Sequence, residues 1–200
     1  MKMFTRSLTI CLFLHASLVS MVSGDEVISI KLEIERSLSK GITWLNNEQN
    51  ASSGSWGEAD YPALTALALR STMGHPDLSV VNKFSSNQKK GFSFILSKVQ
   101  SDGGIYGKGL ACYNTSICMM ALLQSKNPEY NDVIKSAKRF LVNQQSDFDR
   151  KGKVDNTFDG GVGYGSRWAH SDLSNTHLAM EALFYAKKSL QSKESEDLDL

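Results

Sequence analysis

Gly41-Ile42-Thr43-Trp44-Leu45, then Gln49, Gly54-Ser55-Trp56-Gly57 and Thr65, is the stretch that decides the fold, because it returns. Fifty residues further on stand Gly91, Phe94, Gly104, Tyr106, Gly107 and Thr115, so Gly41, Trp44, Gly54, Trp56, Gly57 and Thr65 each find a match in kind at one offset. Gln49 and Gln100 sit between them, one residue out of phase. A third copy follows Phe140, with Gln144-Gln145, Gly161, Gly163-Tyr164-Gly165 and Thr176, stretched by a charged insertion from roughly Ser146 to Asp159. Self-similarity at a period near fifty is the mark of a repeat architecture, in which each unit buries its apolar face against the next.

Each unit reads as two helices joined by a glycine-rich loop. Val27, Ile30, Ile34, Leu38, Ile42 and Leu45 recur by threes and fours, which lays them on one stripe of a first helix. A second helix starts at Pro62, a residue suited to a first helical position, and stops at Gly74. A third runs through Val81, Phe84, Gln88, Phe92, Ile95 and Val99. A fourth starts with Asn114 as its cap and ends before Asn127-Pro128. Val133, Ile134, Ala137, Phe140 and Leu141 mark a fifth, and Leu178, Ala179, Ala182, Leu183, Ala186 and Leu190 a sixth that begins at Ser174 or Asn175. Helices two, four and six are alanine-rich and poor in charge, which predicts an inner layer; one, three and five carry Lys and Glu on one face, which predicts an outer one. No strand is predicted. The expected organisation is a leader at 1–24, a repeat domain at 25–191 with units near 27–74, 79–126 and 130–191, and an acidic frayed tail at 192–200.

Composition narrows what such a fold does. In 200 residues, 41% are hydrophobic and 22% charged, an ordinary globular balance. Lys and Arg number 22 against 21 Asp and Glu, so no basic excess exists for a phosphate backbone, and nucleic acid is not expected as a partner. Lys2 and Arg6 precede an apolar run from Leu8 to Val22, and Val22-Ser23-Gly24 supplies small residues for cleavage before Asp25. That predicts a cleaved signal peptide and a secreted or periplasmic protein that meets a membrane only through its leader. Cleavage removes Cys11 and leaves Cys112 and Cys118, six apart and on different sides of a helix, as unbridged buried thiols.

A glutamine ending one helix can bond the loose backbone groups at the start of the next while an aromatic ring shields that bond from water. On Trp44-Leu45 through Gln49 with Gly54-Ser55-Trp56, and on its copies, the chain resembles the prenyltransferase and squalene-oxidase repeat, the QW repeat of α/α-toroid, terpenoid-cyclase-like proteins. The resemblance spans nearly the whole chain after the leader. It implies an all-α fold, a barrel of paired inner and outer helices with any ligand held at the inner-helix ends. A full toroid of that family holds about six hairpins. Three are present here, which implies a partial toroid, half a ring, completed by a second copy or by the remaining half. The ligand implied is an apolar or isoprenoid small molecule.

The chemistry of the family does not carry over residue by residue. A class II cyclase needs an Asp-x-Asp-Asp acid, in which crowded carboxylates hold a proton for donation to an alkene. The nearest stretches are Asp147-Phe148-Asp149-Arg150 and Asp197-Leu198-Asp199, and neither fits. A zinc prenyltransferase needs Asp-x-Cys and a later His; here Asp172 is followed by Ser174 where the thiolate belongs, and His170 and His177 do not complete a set. No Cys-Gly-Glu-Gln thioester is present. Neither a metal nor a cofactor is expected, and no catalytic residue is assigned. Asp102, Asp159 and Asp172 stand before glycines or helices, where they serve either as converging carboxylates of a glycan-cleaving site or as turn and helix caps. The candidate ligand-binding residues, grouped at the inner-helix starts, are Asp102, Tyr106, Tyr113, Asn114, Tyr164, Asp172 and Asn175. The other reading is a non-catalytic interaction or scaffold module that binds an exported protein or a glycan.

Overall fold

The computed structural model describes residues 27–74, 84–165 and 170–190; the leader, Val81, Trp168 and the acidic tail lie outside them. Every element among the described residues is helical, which bears out the all-α reading. Helix α1 covers 27–48, and α2 Pro62–Met73, α3 Ser86–Leu96, α4 Ala111–Ser125, α5 Asn131–Val142 and α6 Leu173–Ser189 follow. The chain divides into two compact units between Trp44 and Leu45, with most of α1 in the first and α2 to α6 in the second.

In the larger unit α2 packs on α4 and α4 on α6, while α3 lies against α2, and α5 lies against α4 and α6. The three alanine-rich helices are thus neighbours in series. Helix α4, in the middle, is buried over most of its length, from Ala111 and Cys112 through to Leu122, which is why it carries no charged side chain. Phe92 and Ile95 of α3 and Ile134, Phe140 and Leu141 of α5 complete this core.

Helix boundaries follow local chemistry. Pro62 opens α2 and Gly74 closes it, as expected. Ser85 and Gln88 form a reciprocal capping box that starts α3 five residues later than the apolar spacing suggests. Helix α4 begins at Ala111 rather than after Asn114, because Leu110 turns the backbone into the left-handed region at φ +49° and the helix departs from there. Helix α6 begins at Leu173, one residue before the earlier of its two expected starts, with Asp172 as its cap.

Three loops close by like backbone bonds, in a register that differs by one residue from the sequence match. The N–H of Asn50 bonds the carbonyl of Ser55, that of Gln100 the carbonyl of Gly104, and that of Ser146 the carbonyl of Gly161. Trp56 therefore corresponds to Ile105 and Val162, not to Tyr106 and Tyr164. The reason is loop length: Gly54 closes back on Asn50 four residues before it, whereas Gly103 closes on Gln100 only three before it. The turn glycines are Gly54, Gly103 and Gly160, all with φ between +76° and +88°, a region that glycine enters without steric cost.

The aromatic clamps expected at 44, 56, 106 and 164 separate into different roles. Trp56 is 5% exposed and its indole N–H donates to the carbonyl of Leu45 at 2.6 Å. Tyr106 and Tyr164 are half-buried. Trp44 is 61% exposed, although its equivalents Phe94 and Phe140 are buried, and the α1 stripe at Val27, Ile30, Ile34 and Leu38 is likewise exposed.

Two outcomes check this packing. Trp56→Ala should cost about 3–5 kcal/mol in chemical denaturation, through the lost ring and the cavity it leaves. The second is a contrast between equivalent glycines. An added methyl at Gly91 would lie 2.8 Å from Cζ3 of Trp56 and 3.0 Å from Cδ2 of Leu69, whereas at Gly41 it meets no described atom within 4 Å. Gly91→Ala should lower the melting temperature, while Gly41→Ala should raise stability by about 0.5–1 kcal/mol through helix propensity.

Candidate functional site

One kind of bond recurs at the starts of α2, α4 and α6. The hydroxyl of Thr65 in α2 accepts the backbone N–H of Trp56 at 3.0 Å, that of Thr115 in α4 accepts Ile105 N–H at 2.9 Å, and that of Thr176 in α6 accepts Val162 N–H at 2.9 Å. Each threonine lies in the first turn or just beyond it and draws the end of its own loop onto the helix. These threonines stand at matching repeat positions, yet nothing in their type separates a clamp from an ordinary helical residue; only the register of the loop does.

Asn114 is fully buried and serves α2 rather than its own helix as a cap. Its Oδ1 accepts the N–H of Ala63 at 3.1 Å, in the first turn of α2, while its Nδ2 donates to the carbonyls of Leu110 and Gly109. A side chain of α4 thereby satisfies a loose donor at the start of its neighbour. Tyr164 reaches the same end: its carbonyl accepts the N–H of Cys112, and Gly165 packs against Ala111 and Cys112. Tyr113, half-buried, packs on the core beside them.

Asp172 accepts the N–H of Asn175 at 3.0 Å through Oδ1 and its Nδ2 at 2.7 Å through Oδ2. Both carboxylate oxygens are occupied in starting α6, the cap role rather than the catalytic one. Asn175 is 2% exposed, and its Oδ1 has no hydrogen-bond partner among the described residues. Asn114, Tyr164, Asp172 and Asn175 are therefore brought to the starts of α4 and α6 and the loop between them.

Asp102 and Tyr106 form a pair of their own. Asp102 accepts the N–H of Gly104 at 2.9 Å and the phenol of Tyr106 at 2.7 Å, and the Tyr106 ring lies 5.9 Å from that of Phe140 in the outer helix α5. The hydrogen bond to Asp102, with smaller contributions from burial and from the Asp102 charge, pushes the Tyr106 phenol up to about 12. Asp159 accepts backbone N–H groups from Phe148, Asn156 and Asp155, chiefly Phe148, which holds its carboxyl below the usual range and folds the insertion back on itself. Asp102 and Asp159 thus organise turns, like Asp172 at its helix.

The glutamines diverge. Gln49 donates to the carbonyls of Gly54 and of Asn87 in the first turn of α3, so it ties its loop to the next outer helix. Gln100, one position later in the repeat, donates to Tyr106 and Lys98 within its own loop. Cys112 and Cys118 are free and buried, and burial raises both thiols, that of Cys112 to about 12, so neither is an activated nucleophile. Among the described residues no three His, Cys, Asp or Glu side chains are placed to hold a metal ion, and His170, Asp172 and His177 form no such set. No helix among them is long and apolar enough to cross a membrane.

The Asp102 bond sets a pH limit. Because the folded state holds the Tyr106 proton more tightly than the unfolded chain, this pair supports folding below about pH 10 and its support is lost as pH rises towards 12. Asp102→Asn should bring the tyrosinate absorbance of Tyr106 back towards the ordinary range in a UV titration, with Tyr106→Phe identifying the signal. Comparison with family models, with curated proteins and with solved structures returns no match to this chain.

Proposed function

We propose that this chain is an exported repeat protein of the prenyltransferase and squalene-cyclase kind, half of an α/α toroid, that holds an apolar or isoprenoid molecule at the inner-helix starts and is not by itself a catalyst. The observation that carries the reading is the threefold Thr clamp, at Thr65, Thr115 and Thr176, on three neighbouring inner helices. Three equivalent hairpins advancing by one step are what half a ring requires.

The chemistry at that end supports a binding role over a catalytic one. Tyr113 and Tyr164 offer ring surface, and Leu173 at the start of α6 offers exposed aliphatic surface. Asn175 Oδ1 is a buried acceptor without a partner among the described residues, suited to a prenyl hydroxyl. No crowded acid is at hand, because Asp172 is engaged by Asn175 and Asp159 by backbone N–H groups. The runner-up, a scaffold that binds an exported protein or glycan, is favoured by the exposed apolar side chains of α6, Met180, Phe184 and Tyr185.

Incubation of the full chain with farnesol, with prenyl diphosphates and with squalene separates these readings. Native mass spectrometry should detect a bound isoprenoid, and product analysis should find each substrate unchanged. Asn175→Ala should weaken the prenyl alcohol by about tenfold, the worth of one buried hydrogen bond. Binding of none of the three ligands overturns the isoprenoid reading, and a cyclised or transferred product overturns the non-catalytic one.

A further inference from the structure

Two stretches of the chain have the form Asn-x-Ser with x other than proline, the acceptor pattern for an N-linked oligosaccharide: Asn50-Ala51-Ser52 and Asn114-Thr115-Ser116. The fold treats them oppositely. Asn114 is fully buried, Ser116 is 1% exposed, and both polar atoms of the Asn114 amide are committed, Oδ1 to Ala63 of α2 and Nδ2 to the carbonyls of Leu110 and Gly109. A sugar on that Nδ2 would have to occupy the packed interface between α4 and α2.

Asn50, Ala51 and Ser52 are all exposed, in the first of the three glycine loops. The loop holds Asn50 by every polar atom except the one a glycosyl transfer would use. Its N–H donates to the Ser55 carbonyl at 2.9 Å and its carbonyl accepts from Gly54 at 2.8 Å. Its Oδ1 accepts the N–H groups of Ser52 at 3.0 Å and Ser53 at 2.9 Å, which makes an Asx turn. Its Nδ2 makes no hydrogen bond among the described residues. A glycosylated asparagine keeps its side-chain carbonyl as an acceptor, so each of these bonds survives the modification. Ser52 enters the turn through its backbone, which leaves its exposed hydroxyl at the place the acceptor pattern requires. The residues that close the other two loops in the same way are Gln100 and Ser146, so the acceptor belongs to the first loop alone.

We infer that Asn50 is a site of N-linked glycosylation in a eukaryotic secretory pathway, and that folding closes Asn114 to the same reaction. The donor is an oligosaccharide carried on a lipid diphosphate. Asn50 Nδ2 forms a bond to its anomeric carbon and gives up one proton, while the bond from that carbon to the diphosphate oxygen breaks and the diphosphate leaves with the electron pair. This inference rests on the export part of the function proposed above and not on the isoprenoid.

The test is expression in a eukaryotic secretory host, once as the full chain and once with a known secretory leader in place of residues 1–24, followed by peptide-N-glycosidase digestion in heavy-oxygen water and peptide mass spectrometry. The secreted protein should carry a glycan on Asn50 and none on Asn114. Asn50→Gln should abolish the mobility shift that the enzyme removes. Ser52→Ala should abolish it too while leaving the Asx turn and the helical circular dichroism intact, and Ser52→Thr should retain it; these two keep the test open if Asn50→Gln fails to fold. Secreted protein unmodified at Asn50, a glycan that persists after Ser52→Ala, or a glycan on Asn114 in the folded product overturns the inference. A glycan on Asn50 behind the supplied leader, with the full chain left in the cytosol, leaves the acceptor site standing and removes the export reading.

Discussion

The structure depends on a threonine hydroxyl, buried at Thr65 and Thr115 and half-buried at Thr176, that takes up a backbone N–H of the chain as it leaves each glycine loop. At Trp56, Ile105 and Val162 the backbone has finished turning and must enter an interior from which water is excluded. An N–H left there without a partner costs a few kcal/mol, more than most single contacts provide. The hydroxyls of Thr65, Thr115 and Thr176 remove that cost and fix the loop against the helix that follows. Trp56 shows the consequence. Its backbone is held by Thr65 and its indole by the Leu45 carbonyl, so the ring is held close against Gly91.

Lateral cohesion follows from satisfying one helix with another's side chains. Asn114 of α4 caps α2, Gln49 reaches the first turn of α3, and Gln88 of α3 bonds Thr72 of α2. These bonds tie α2 and its loop to α3 and α4, and the apolar contacts between Leu69 and Gly91 run the same way. Stability in such an array is a sum of units and neighbour contacts, so the first and last units are the ones left with exposed apolar surface.

Much of the fold was legible because helix punctuation and apolar spacing are local. Pro62 and Gly74 bound α2 by backbone chemistry that needs no partner, and Asn127-Pro128 ends α4 for the same reason. The start of α4 was not legible. Asn114 has the composition of a cap, but its acceptor is used across a helix interface on Ala63, and Leu110 turns left-handed with no glycine to announce it. The loop register was missed because glycine and aromatic residues recur densely enough that Gly54 matches Gly104 by type, whereas the positive φ belongs to Gly103. Of the candidate site, the cap role of Asp172 could be read from its place before a helix. The pairing of Asp102 with Tyr106 beside Phe140 depends on where α5 lies.

By itself the sequence determined the helical class, the number of helices and their alternation between alanine-rich and charged types, since these follow from spacing, propensity and composition within a few turns of chain. Only the tertiary structure decided which of the equivalent side chains are covered. Leu69, Met119 and Met180 are alike in chemistry and in repeat position, and two are buried while the third is bare. Burial is a property of what stands opposite, and that is set by the order of hairpins in space rather than by any one of them.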